Sequence, residues 1–109
     1  MASFMKNHTL DLADIHQAFR QRAAVKGWQA YHTPKNLAAA VAVEAAELLE
    51  IFQWLTDEQA QQVKDDAEAK NRVADEVADI VMYLTELCAR LDINMPAAIA
   101  QKIDKNATR

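Results

Sequence analysis

Between Leu37 and Leu55 the chain reads LAAAVAVEAAELLEIFQWL, and its apolar positions recur at helical spacing. At about 100° per residue, Leu37, Val41, Leu48, Ile51 and Leu55 share one stripe of a helix. Glu44 falls in the middle of that stripe, Glu47 at its edge one turn on, and Trp54 on nearly the same bearing two turns later. A second stripe runs through Val73, Val77, Ile80, Leu84, Leu87 and Leu91, flanked by Glu76 and Asp79, with Tyr83 beside them. Leu12, Ile15, Phe19 and Ala23 mark an earlier amphipathic helix, capped by Thr9 or Asp11 and stopped at Gly27. Thr56 to Gln59 reads as a capping box that opens a short exposed helix or a solvated lead-in over 57 to 72. Asn94 and Pro96 start a last helix that packs through Ile99 and Ile103. The pattern predicts an all-α, four- to five-helix bundle: one domain over residues 9 to 109 behind a flexible arm at 1 to 8.

Composition narrows this reading. The 109 residues are 51% hydrophobic with one glycine and two prolines, too few turn formers for a sheet protein. A formal charge of -4 argues against a polymeric nucleic-acid partner. No apolar run approaches a membrane span, and no signal-peptide core is present. The single Cys88 excludes a disulfide framework and a zinc cluster, so a cytoplasmic location is expected.

The acidic pairs carry the chemistry. Glu44 has Ala40, Val41, Glu47 and Leu48 three and four positions away, so its own helix offers no cation. A carboxylate on an apolar stripe needs compensation, either from an arginine elsewhere in the fold or from a metal ion. If the two helices are neighbours, Glu44, Glu47, Glu76 and Asp79 converge, and an all-oxygen set selects a hard ion such as Mg²⁺. No histidine stands three residues after a glutamate, which removes the ferritin-like di-iron pattern. Glu50, Glu58, Glu68 and Glu86, together with His16 and Arg20, read as solvated-face residues. Trp28, Tyr31 and His32 before Pro34 form either a pocket wall or a packing seal at the end of the bundle. Lys102, Asn106 and Arg109 make a stripe of donors on the last helix, which also suits a simple dipole complement.

Glu44-x-x-Glu47 with Phe52-Gln53-Trp54, then Glu76-x-x-Asp79 leading into Tyr83, resembles the MazG-like all-α nucleoside triphosphate pyrophosphohydrolases. The run from Trp28 to Leu37 and the ending from Lys102 to Asn106 are most similar to the dCTP pyrophosphatase branch. That branch continues past the last arginine with Tyr-Pro, where this sequence stops at Arg109.

The resemblance implies hydrolysis of a (deoxy)nucleoside triphosphate, dCTP or a related dNTP, between the α and β phosphates, for house-cleaning of the nucleotide pool. By position, Glu44, Glu47, Glu76 and Asp79 would bind Mg²⁺, with Mn²⁺ able to substitute, and Glu47 would orient or deprotonate the attacking water. Lys102, Lys35 and Arg109 would contact phosphates, and Asn106 would hydrogen-bond the nucleotide. Trp28, His32, Trp54 and Tyr83 would line the base and sugar pocket. Family likeness also implies a homo-oligomer, either a tetramer built as a dimer of dimers or a dimer. The competing reading is a non-catalytic helical interaction module with an acidic binding surface.

Overall fold

In the computed structural model, which describes residues 9–108, the chain forms five α-helices and two 3-10 turns. Helix α1 spans Leu12–Lys26, α2 Pro34–Phe52, α3 Asp57–Gln61, α4 Ala67–Arg90 and α5 Met95–Ala107. The all-helical expectation therefore holds for the described residues. The expected arm at residues 1 to 8, and Arg109, lie outside them.

Local signals set each helix boundary. Asp11, not Thr9, caps α1: its Oδ1 accepts from the Asp14 amide at 2.9 Å, and the Asp14 carboxylate accepts from the Asp11 amide at 3.2 Å. Gly27 ends α1 at φ 71°, the left-handed conformation that costs glycine least. Thr33 caps α2, with Pro34 in the first turn where its missing N–H is harmless. The Thr56–Gln59 capping box opens α3, and Asn94 caps α5. Asp66 caps α4, so that helix begins six residues before the second apolar stripe.

One boundary departs from the periodicity. Helix α2 stops at Phe52, and Trp54 and Leu55 leave it in a turn closed by the Leu55 amide donating to the Phe52 carbonyl at 2.9 Å. The capping box at Thr56 needs extended backbone at its cap, which leaves no room for a further helical turn before it.

Helices α2 and α4 share the most extensive packing in the molecule, with α1 laid against α4. Leu37 is 1% exposed at the start of this seam, and Ala23 is buried where α1 meets it. Among the described residues, helix α5 makes no extensive contact with any other element. No described helix is long and apolar enough to cross a membrane.

Three residues assigned to solvent by periodicity meet at the α1/α4 contact. Glu86 is 2% exposed, and its Oε1 lies 2.7 Å from His16 Nε2 and accepts from Arg20 Nε at 2.7 Å. Arg90 Nε donates to the other oxygen at 3.3 Å, and Arg90 Nη2 donates to the Gln29 carbonyl at 3.1 Å. The expectation of a solvated Glu86 is thus corrected and His16 is half-buried beside it, whereas Arg20 is exposed as expected and still pairs with the acid. Two cations and an imidazole satisfy one buried carboxylate, and Arg90 ties the connector after α1 to α4.

Burial alone would raise the Glu86 pKa above its ordinary 4.5, but the hydrogen bonds from Arg20, His16 and Arg90 outweigh it and the net shift is downward. A depressed carboxylate contributes stability that is full above pH 4.5 and is lost as pH falls below it. Glu86→Ala should therefore cost about 3 kcal/mol, the low end for breaking a buried pair because Arg20 reaches solvent. Urea melts at pH 7 and pH 4 check this, since the gap between wild type and variant should shrink in acid.

Candidate metal and nucleotide site

Helices α2 and α4 bring Glu44, Glu47 and Glu76 together, with one carboxylate oxygen from each within 4.8 Å of the others. Glu44 and Glu76 are half-buried and Glu47 is exposed at the rim. Glu76 Oε2 is buried and has no hydrogen-bond partner among the described residues. A hydrogen bond with Glu76, then burial, then Glu47 push the Glu44 pKa up from 4.5 to about 8. Without a cation the three acids can approach only by holding a proton between them. An oxygen-only donor set with one orphaned oxygen could hold a metal ion.

Asp79 stands one turn beyond Glu76 on α4 and is outside the tight trio. Burial, then Glu76 and Asp75, raise its pKa above the ordinary 3.8. Tyr83, a further turn along, has its hydroxyl pKa raised by burial, then by Glu44, Asp79 and Glu47, so the ring borders the acidic cluster.

Phe19, His32 and Tyr83 form an aromatic group at this end of the seam. The Phe19 and His32 rings stack at 5.2 Å, Phe19 meets Tyr83 edge-on at 5.6 Å, and His32 meets Tyr83 edge-on at 6.4 Å. His32 Nδ1 is buried and has no hydrogen-bond partner among the described residues. Phe19 was missed as a site neighbour because its position on the α1 apolar stripe looks the same as a core position.

The remaining candidates are placed apart from the acids. Trp28 is 45% exposed in the connector after α1, and Trp54 is 86% exposed in the turn after α2. Lys35 is exposed in the first turn of α2, about 13 Å along the axis from Glu44 at 1.5 Å per residue. Lys102 and Asn106 ride on α5, which among the described residues shares no extensive packing with α2 or α4. Arg109 lies outside the described residues.

The MazG-like family model matches residues 39–109, a span that holds all four acidic positions. The chain belongs to the MazG-like family. It is 35% identical over 107 residues to dCTP pyrophosphatase 1 of Bos taurus and 36% identical over 111 residues to that of Rattus norvegicus. Both alignments cover 98% of this chain, which spans 62% of the length of those curated relatives. The crystal structure of a pyrophosphatase from Archaeoglobus fulgidus DSM 4304 matches with a TM-score of 0.78 and 38% identity, over 94% of each chain.

The raised Glu44 pKa has a measurable sign. A raised carboxylate favours the fold fully below pH 4.5, and that contribution disappears as pH rises toward 8. The metal-free protein should therefore lose stability over that window. A divalent ion at about 100 times its Kd should restore about 2.7 kcal/mol at pH 8. Thermal melts at pH 5 and pH 8, with and without Mg²⁺, check this: the metal effect should be largest at pH 8 and absent in Glu44→Gln.

Proposed function

We propose that this protein is a Mg²⁺-dependent nucleotide pyrophosphohydrolase that converts a deoxynucleoside triphosphate, dCTP in the first instance, to the monophosphate and pyrophosphate. One observation carries this reading: Glu44, Glu47 and Glu76 converge within reach of a single ion, beside an aromatic group of base-stacking size. The likeness to proteins named dCTP pyrophosphatase 1 supports the choice of nucleotide.

Glu44, Glu47 and Glu76 would hold the ion, with Asp79 completing the set. Mg²⁺, a hard cation that keeps water positions open, would neutralise charge on the phosphates. Glu47, exposed at the rim, orients a water and accepts its proton. The water oxygen bonds to the α-phosphorus, and the bond from that phosphorus to the bridging oxygen breaks. The bridging oxygen keeps the electron pair and leaves on pyrophosphate. His32 and Tyr83 face the base and sugar from the ring end, with Trp28 at the margin. House-cleaning of the cytoplasmic deoxynucleotide pool is the role this activity serves.

The reading includes a homotetramer. Val43 and Leu49 on α2, Val77 on α4, and Ile99 and Ile103 on α5 are 44–62% exposed in the isolated chain. Covering α5 with a neighbouring chain would bury that apolar face and offers a route for Lys102, Asn106 and Trp54 to reach a site.

Mixed dNTPs with Mg²⁺ should yield pyrophosphate, and chelation should stop the reaction. A protein that releases none from any triphosphate would instead be a helical interaction module. Glu47→Gln should lower kcat by roughly 100-fold or more while the helical circular dichroism is retained. Light scattering after gel filtration should give about four times the 12.2 kDa chain mass, and a monomer would defeat the assembly.

A further inference from the structure

The cations expected to meet the phosphates do not share the acidic seam in the chain. Lys35 sits three turns before Glu47 on α2, and Lys102 rides on α5. One arginine does share it. Arg72 of α4 lines a hollow of about 250 Å³ together with Glu47, Glu50, Ile51, Asp75 and Glu76. A second hollow of about 400 Å³ shares Ile51 and Arg72 with the first and runs on toward Gln59 and Asp66.

Arg72 also has the right bearing. Arg72, Glu76, Asp79 and Tyr83 stand at spacings of four, three and four, so at about 100° per residue they fall within roughly 60° of one another on α4. Along the axis the order is guanidinium, metal carboxylates, aromatic group. The eleven residue steps from Arg72 to Tyr83 rise about 16 Å, a length suited to an extended nucleoside triphosphate. With the base at the ring end and the α-phosphorus at the carboxylates, the terminal phosphates point at Arg72.

The guanidinium is available for this. Asp75 and Glu76 follow Arg72 by three and four residues, the usual spacing for a helical ion pair. Its guanidinium nevertheless forms no ion pair or hydrogen bond with any described residue. A planar group with five donors suits two phosphate oxygens better than one carboxylate at the rim.

We propose that Arg72 binds the β and γ phosphates of the substrate, and therefore pyrophosphate after cleavage, an inference that rests on the pyrophosphohydrolase reading of the same site. The test is steady-state kinetics of Arg72→Gln and Arg72→Lys, with pyrophosphate and the nucleoside monophosphate as product inhibitors. In Arg72→Gln the pyrophosphate inhibition constant should rise about tenfold and kcat/KM for the triphosphate should fall about as much, the loss of one charge-assisted contact. Inhibition by the monophosphate should not change, and Arg72→Lys should fall between wild type and Arg72→Gln. An unchanged pyrophosphate constant, or equal weakening of both products, would overturn the assignment, because a general countercharge does not distinguish them. If wild type cleaves no triphosphate, the enzymatic reading fails. Calorimetric titration of magnesium pyrophosphate into wild type and Arg72→Gln then decides Arg72 separately, with equal affinities overturning it.

Discussion

The seam between α2 and α4 has to reconcile two demands: it is the principal packing surface of the chain, and it presses acidic side chains from both helices against one another. Apolar residues such as Leu37 hold the helices together, and that closeness forces Glu44, Glu47 and Glu76 within reach of a single ion. Three carboxylates this near repel, and the Glu44 pKa rises to about 8 because one proton has to stand in for a cation. Packing energy from the rest of the seam sustains an arrangement that the acids alone would undo.

Glu86 presents the same problem with a different solution. It is more deeply buried than any acid of the trio, yet its pKa is lowered, because Arg20, His16 and Arg90 surround it. Two acidic centres on one helix thus differ in kind: the one at Glu86 is closed by the protein's own cations, and the one at Glu76 is left open. The closed centre also serves the open one. Arg90 bridges Glu86 and the Gln29 carbonyl, which fixes the connector that delivers His32 to Phe19 and Tyr83.

Helix α4 is the axis of this organisation. Arg72, Glu76, Asp79, Tyr83 and Glu86 follow one another along it, and α1, α2 and the connector are each placed by what they meet there. Helix α5 stands outside the scheme within the chain, its Ile99 and Ile103 open to solvent.

Much of this was legible in the residues themselves. Helix count, the Gly27 stop, the Pro34 start and the Thr56 capping box depend on contacts within a few positions, which a linear pattern records directly. An acid at the centre of the α2 stripe likewise marked the seam. Tertiary structure alone decided which acids meet a cation and which meet one another: Glu86 and Glu76 look alike along α4, and their difference comes from Arg20 and His16, some seventy positions earlier, and from Glu44 across the seam. It likewise decided that α2 stops at Phe52, which leaves Trp54 86% exposed in the turn ahead of the Thr56 cap. Periodicity assigns a residue to a face of its own helix, and only the packing of helices determines what that face meets.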